Sequence, residues 1–289
     1  MKKKLTFILT LALAVLPSCS KLFQPDSTAG LPSKSFTFHV KGIFDTNYED
    51  MTKAATRLEK GNTAGLTDLW VLDYSEDGSL LQQTHQSSTD ADFGTVSMEL
   101  TYGHHDIKFI ASKGAGASLT DEGISWTKVG DTFALDYAVD VAASTNGNRA
   151  PELKRVISGL KITINDEIPT TAAKAVLTLG KRSQSLTLPE LSALPYEQSG
   201  AELDITGLAG KTGRQVAIYS LADGDDEWES PASIEVRNAS GARLTYVEIP
   251  SVKLKRNRMT VLSGELFNRS SGFEVNILSD WDEPEEGTF

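Results

Sequence analysis

The chain has 289 residues, 28 Lys and Arg against 39 Asp and Glu, a formal net charge of −11, 39% hydrophobic residues and one cysteine. The length suggests about two domains, and the apolar fraction excludes a disordered chain. A lone thiol excludes an internal disulfide framework and every zinc site built from two or more cysteines, while the acidic excess argues against nucleic acid as a partner, because phosphate binding rests on clustered Lys and Arg.

Lys2, Lys3 and Lys4 form a positive start, Leu5–Val15 (LTFILTLALAV) an apolar run, and Leu16-Pro17-Ser18-Cys19 a short terminator. The run falls well short of the ~20 residues that a membrane-spanning helix needs, so residues 1–18 are expected to be a processed signal peptide. A small residue followed directly by Cys resembles the lipobox of bacterial lipoproteins. That resemblance implies cleavage before Cys19 and acylation of its thiol and new terminal amine with palmitate-class chains. Three acyl chains anchor stably where one does not. The alternative is an ordinary cleaved signal with Cys19 incidental. Ser20 stands where lipoproteins retained in the inner membrane carry Asp, so the resemblance points to the outer membrane. Cleavage removes three of the 28 bases, leaving 25 against 39 acids and a net charge of −14. Electrostatic attraction to an anionic surface weakens accordingly.

Residues 19–34 are rich in Ser, Pro and Gly with no period, the composition of a tether. Ser35–Phe44 (SFTFHVKGIF) then alternates Phe36, Phe38 and Val40 with Thr37, His39 and Lys41, as a half-buried strand does. Leu69–Tyr74, a turn at Glu76-Asp77-Gly78-Ser79 and Leu80–Thr84 read as a hairpin. Thr95–Tyr102 and Asp106–Ser112 flank a polar turn at Gly103-His104-His105, and Thr132–Val141 closes the first half. The turn-prone stretch Ala143–Pro151 places a boundary between an N-terminal sandwich over 35–149 and a C-terminal sandwich over 150–289. Leu153–Ile164 begins with residues that fit a helical turn and ends as a strand over Leu160–Ile164. Further strands are expected at Ala175–Leu179, Ser185–Leu188, Ala201–Ile205, Gln215–Leu221, Ala232–Arg237, Arg243–Ile249, Met259–Phe267 and Phe273–Leu278, with a turn at Asn238-Ala239-Ser240-Gly241. Asp50–Lys60 carries a helical pattern. The spacing of strands and turns indicates an all-β protein of β-sandwiches.

Chemistry-bearing motifs are sparse. No G-x-S-x-G, H-E-x-x-H, P-loop or G-x-G-x-x-G occurs, so the chain is not expected to be an enzyme or to need a cofactor. His104-His105 beside Asp106 is the one pair worth testing for metal, and adjacent strand residues point to opposite faces, so no metal site is expected. Asp223–Glu229 is rich in oxygen ligands without calcium-loop spacing and reads as a charged hairpin tip with Trp228 leaning on a sheet edge. Lys253 and Lys255 flank Leu254 as a solvated strand face, and Asp280–Phe289 reads as an acidic tail. Trp70, Trp126 and Trp228 are the aromatics that a glycan-binding face would need.

The run from Lys255 to Phe267 (KRNRMTVLSGELF), followed by Phe273–Ile277 (FEVNI) and Asp280-Trp281, resembles the C-terminal signature of the fimbrillin-associated anchor and minor-subunit family of type V pili. Leu69–Tyr74 with Asp77-Gly78, Leu100–Ala111 and Leu153-Lys154-Arg155-Val156 fit that family's earlier segments. The resemblance implies two tandem transthyretin-like β-sandwiches and a surface-exposed outer-membrane lipoprotein. It also implies a role in cell adhesion as anchor or accessory subunit of a fimbrium, with fimbrial subunits as partners and assembly by strand exchange. A strand that remains joined to the tether keeps its own groove filled and ends chain growth there. The alternative function is a surface lipoprotein sandwich that binds glycan. Mass spectrometry of the N terminus purified from the native host is expected to find residue 19 triacylated and residues 1–18 gone; an unmodified Cys19 or an uncut chain sinks the lipid assignment.

Overall fold

The computed structural model describes residues 30–42, 65–224, 227–268 and 274–278. Cys19, the helical pattern at 50–60 and the acidic tail lie outside them. Within them the protein is all-β, with no α-helix. The first half contributes β1 (Ser33–His39), β2 (Lys41–Gly42), β3 (Asp68–Tyr74), β4 (Leu80–Ser87), β5 (Thr95–Thr101), β6 (Gly103–Ser112), β7 (Ala115–Thr120), β8 (Gly123–Lys128), β9 (Thr132–Val141), β10 (Asn148–Arg149) and β11 (Glu152–Arg155). The second half contributes β12 (Ile157–Ile164), β13 (Ala172–Arg182), β14 (Ser185–Thr187), β15 (Glu197–Asp204), β16 (Arg214–Leu221), β17 (Trp228–Asn238), β18 (Arg243–Leu254), β19 (Met259–Gly264) and β20 (Glu274–Leu278).

Alternation decides which faces meet. In the first half a three-stranded sheet of order β10-β1-β5 lies over a six-stranded sheet of order β2-β11-β9-β6-β3-β4. Phe36, Phe38, Val96, Met98 and Leu100 from the smaller sheet bury against Leu69, Val71, Ile107, Phe109 and Phe133 from the larger. In the second half, sheets β16-β12-β19-β20 and β15-β13-β17-β18 enclose Leu160, Ile162, Ile164, Leu177, Leu179, Ile234, Val236 and Leu262. Each full side-chain burial of this kind contributes about 1.5–3 kcal/mol before entropy is counted. The expected turns after β3 and β17 form: Ser75 N donates to Ser79 O at 2.9 Å, and the Asn238 Oδ1 accepts from Ser240 N at 3.0 Å and Ala242 N at 2.9 Å.

Three features depart from the sequence reading. The first part of 153–164 is strand, not helical turn: Lys154 and Arg155 pair with Ala134 and Phe133 of β9, and Ile157 opens β12. Strand β6 starts at Gly103, so His104 and His105 are strand residues opposite Asp140 and Val139 of β9 rather than a turn. Strands β7 and β8 were not expected at all. They form a third small sheet with β14 from the second half, Leu186 standing opposite Ile124 and Thr187 opposite Gly123. Gly123 is required there, since a Cβ would sit 2.2 Å from the Leu186 carbonyl oxygen.

Beneath that sheet is a core drawn from both halves. Trp70, Leu72 and Ile110 of the six-stranded sheet meet Ile124 and Trp126 of β8 and Val156, Ile157, Leu186 and Leu221 of the second half. Arg155 fixes the crossing beside it. Its buried guanidinium donates to both Asp131 oxygens, from Nε at 2.7 Å and Nη2 at 3.1 Å, and from Nη1 to the Asn257 Oδ1 at 3.0 Å. It also lies 4.9 Å over the Phe133 ring. Arg256 Nε donates to the Arg155 carbonyl at 3.0 Å, and Asn257 N donates to Ile157 O at 2.8 Å. A planar fork bound on two sides resists rotation more than a point charge does. The boundary expected at 149/150 lies between β10 and β11, both hydrogen-bonded into first-half sheets.

Replacing Arg155 with Ala is expected to destabilise the protein by about 3 kcal/mol, the range for stripping one partner from a buried ion pair. Arg155→Lys recovers only part of this, because the two-sided fork is lost. The urea midpoint followed by tryptophan fluorescence reads both, since Trp70 and Trp126 lie in the core beside the crossing.

Candidate functional site

Strand β1 is the feature on which a strand-exchange function would act, and it holds the middle position of its sheet. On one side it pairs antiparallel with β5 along its whole length, from Ser33 opposite Thr101 to His39 opposite Thr95. On the other it pairs parallel with β10 at Thr37–Asn148 and Phe38–Arg149, and Thr37 N donates to Gly147 O at 2.8 Å. A Cβ on Gly147 would lie 2.3 Å from the Ser35 oxygen, so only glycine lets this segment close over β1. Lys34 Nζ donates to Ala143 O at 2.7 Å.

Phe36 and Phe38 of β1, and Val40 just beyond it, point inward: the two rings are 0% exposed and Val40 is 1% exposed. Phe38 meets Phe109 edge-on at 5.2 Å and Tyr137 at 6.1 Å. Arg149 lies 5.9 Å over the Phe36 ring. Beyond Val40 the chain changes sheets, β2 pairing parallel with β11 at Lys41–Glu152 and Gly42–Leu153. One continuous segment therefore fastens both sheets of the first half.

Among the described residues the outer edge of β5 has no strand beside it, yet three of its carbonyls are satisfied. Gln86 Nε2 donates to Thr95 O at 2.9 Å, Gln82 Nε2 to Glu99 O at 2.9 Å, and His105 Nε2 lies 2.9 Å from Thr101 O. Gln86 also accepts from Gly94 N at 3.0 Å. Asp73 connects two of the three, with His105 Nδ1 at 2.8 Å from Oδ1 and Gln82 Nε2 donating to Oδ2 at 3.0 Å. The histidine and aspartate side chains are 2% and 0% exposed. Burial opposes a charge on His105, but the Asp73 carboxylate, through its hydrogen bond and its charge, and the Thr101 carbonyl raise its pKa above the ordinary 6.5.

Sequence reasoning missed this group. The signal was present in the period: Asp73 follows Leu69 and Val71 on the core face of an otherwise apolar run, and His105 precedes Ile107 and Phe109 in the same way. His104 points the other way, with Nδ1 2.8 Å from the exposed Asp140 carboxylate, so the two imidazoles cannot share an ion. Among the described residues no group of three or more His, Cys, Asp or Glu side chains is placed to hold a metal.

On that same outward face Lys108 Nζ lies 2.7 Å from both Asp106 and Asp136. Burial and a hydrogen bond with Asp106 push the Asp136 carboxyl above its ordinary range. Asp106 is held below it, its burial outweighed by hydrogen bonds with Asp136 and Lys108. This is a charge ladder along two strands.

The tryptophans do not make a glycan-binding face. Trp70 and Trp126 are 5% and 3% exposed and meet edge-on at 6.1 Å in the core between the halves. Trp228 is the first residue of β17, opposite Leu254 of β18 and half-buried against Tyr196 at 5.5 Å, so it is a strand residue rather than one leaning on a sheet edge. Leu254 is buried and Lys253 faces Glu227 at 3.2 Å, a solvated strand face.

Neither a protein-family model nor a curated protein sequence matches the chain. Among solved structures, the fold is similar to that of a candidate polysaccharide-binding protein from Bacteroides thetaiotaomicron, with a TM-score of 0.53 and 10% identity over 84% of this chain and 95% of that one. It is also similar to a candidate adhesin from Bacteroides ovatus, with a TM-score of 0.51 and 9% identity over 81% and 87% of the two chains. The fimbrial anchor protein from Porphyromonas gingivalis aligns over 86% of this chain and 98% of its own, at a TM-score of 0.45 and 9% identity. At these identities the likeness is one of fold.

Phe38→Ala is expected to cost about 3–5 kcal/mol through lost burial and the cavity left behind. Thr37→Ala, on the opposite face of the same strand, is expected to stay within about 0.5 kcal/mol. Paired urea midpoints check the contrast, and equal costs would mean that β1 is not seated as described.

Proposed function

We propose that this protein is a cell-surface component of a fimbrium, a non-enzymatic outer-membrane lipoprotein held by acyl chains on Cys19 and serving as anchor or accessory subunit. Its partners are fimbrial subunits, joined by exchange of β-strands. Three observations support the reading. The C-terminal run Lys255–Phe267 resembles the type V anchor and minor-subunit family, and the fold is similar to that of a candidate adhesin. The observation that carries it is the place of β1: a middle strand whose Phe36 and Phe38 are fully buried, and whose preceding residues in the sequence run back to Cys19.

The consequence of that placement is an asymmetry between this chain and a polymerising subunit. A subunit that is to accept a partner's strand must first vacate a seat of this kind. Here, cutting the chain between Cys19 and β1 would separate fold from lipid, so retention of the lipid and retention of β1 go together. A chain that keeps both offers no vacant groove through this seat and ends growth at the membrane. The division into two transthyretin-like sandwiches, 35–149 and 150–289, belongs to the same reading.

Deleting the gene in the native host is expected to shed filaments into the medium, and filaments isolated from the parent strain are expected to carry this protein. Fimbriae that stay attached in normal number without it refute the anchor role.

A further inference from the structure

The side chains at the outer edge of β5 take up backbone carbonyls that no described strand reaches, a task that apolar residues could not perform. A buried polar group costs free energy unless it is fully hydrogen-bonded, and here three of them, Asp73, Gln86 and His105, gather with the half-buried Gln82 at one strand edge. What they bond to is specific. All three carbonyls belong to β5, the strand that carries β1 along seven paired positions, Ser33–Thr101 to His39–Thr95. The His105 contact falls at Thr101, opposite Ser33, and Tyr102 N donates to Pro32 O at 2.8 Å beside it. That is the mouth of the seat, where the tether enters.

A cationic imidazole donates from both nitrogens, so it satisfies Asp73 Oδ1 and Thr101 O together. A neutral one has a single N–H; held on Asp73, it leaves Nε2 to accept from the Thr101 hydroxyl at 3.4 Å and gives up the half-buried Thr101 carbonyl. Asp73 on β3 is the charged group that faces His105 among the described residues. Strand β9 presents Val139 opposite it, β5 presents Thr101, and the Glu99 side chain lies on the exposed side of β5.

We propose that Asp73, His105, Gln82 and Gln86 are positioning residues for strand exchange: they close the outer edge of β5 to a second strand, confining exchange to the side held by β1. They also grip the Thr101 end of the seat most firmly when His105 carries its proton. This rests on the strand-exchange reading for its purpose, but its chemistry stands on the hydrogen bonds alone. The sign follows from linkage. A histidine whose native pKa is raised contributes stability that is complete below its unfolded value of ~6.5 and is lost as pH rises through the native value. The seat is therefore tighter in mild acid and looser in mild alkali.

Hydrogen exchange of the mature lipoprotein in detergent, corrected for intrinsic rates and measured at about pH 5.5 and about pH 8.5, tests this. Amides of 33–39 and 96–102 in the parent protein are expected to lose roughly tenfold in protection at the higher pH, as a change of about 1.4 kcal/mol would produce. His105→Gln is expected to show weak protection at both values with no pH response, and His104→Gln to behave as the parent. If His105→Gln does not fold, Asp73→Asn keeps the shape without the charge and moves the response to lower pH. A parent protein with no pH response in these segments, or a response that persists in His105→Gln, overturns the proposal. Either result leaves the anchor reading to the deletion experiment, and shed filaments with an unresponsive His105 would separate the two.

Discussion

The first half of the molecule depends on one strand being where it is. Strand β1 lies between β5 and β10, and among the described residues neither neighbour has another strand beside it. Phe36 and Phe38 supply the side chains that Phe109 and Tyr137 pack against. Removing an edge strand trims a sheet, whereas removing this one would split the three-stranded sheet into two unconnected strands and uncover the aromatic core. Burial of large apolar side chains is the dominant favourable term in folding, so the structure places that term on the segment nearest the tether. The same segment fastens the larger sheet through β2, and both sheets lose an attachment if it leaves.

The two halves are joined by more than a linker. A linker alone would leave relative motion as the default. Here β14 of the second half completes a sheet with β7 and β8 of the first, and a tryptophan-lined core lies beneath it. Arg155 binds Asp131 on one side and Asn257 on the other. Hydrophobic contact is non-directional and fixes distance; the guanidinium fork adds orientation. Together they make the junction a third packed region.

The sequence was legible where one face of a strand is large and apolar. Phe36-x-Phe38-x-Val40 and Leu160-x-Ile162-x-Ile164 announce their buried faces, and the Asn238–Gly241 turn announces its hairpin. Strands β7 and β8 were not legible because Ala115–Thr120 (AGASLT) carries almost no side-chain signal; what makes it a strand is pairing with β8, which itself depends on β14 sixty residues on. Trp126 was visible as an aromatic but not as a core residue, because its partner Trp70 comes from a distant strand. Gly103 suggested a turn before two histidines, and pairing with Val141 overrode that local preference. For the polar group around Asp73, the period put a carboxylate on a core face, yet His105 and Gln82, which satisfy it, come from two other strands. A buried charge cannot be told from an exposed one until its partners are known.

The antiparallel pairing of β1 along β5 has a mechanical meaning. In the anchor role proposed above, a filament held at a surface in flow would be under tension, and that tension would reach the fold through Ser33, the first residue of β1. A pull along the axis of the strand loads all seven cross-strand positions at once, in shear, so none gives way before the others. Were β1 bound only by its tip, the same force would peel the contacts one at a time. Backbone hydrogen bonds that are modest singly then fail together or not at all, and the joint bears load in the direction in which a surface appendage is pulled.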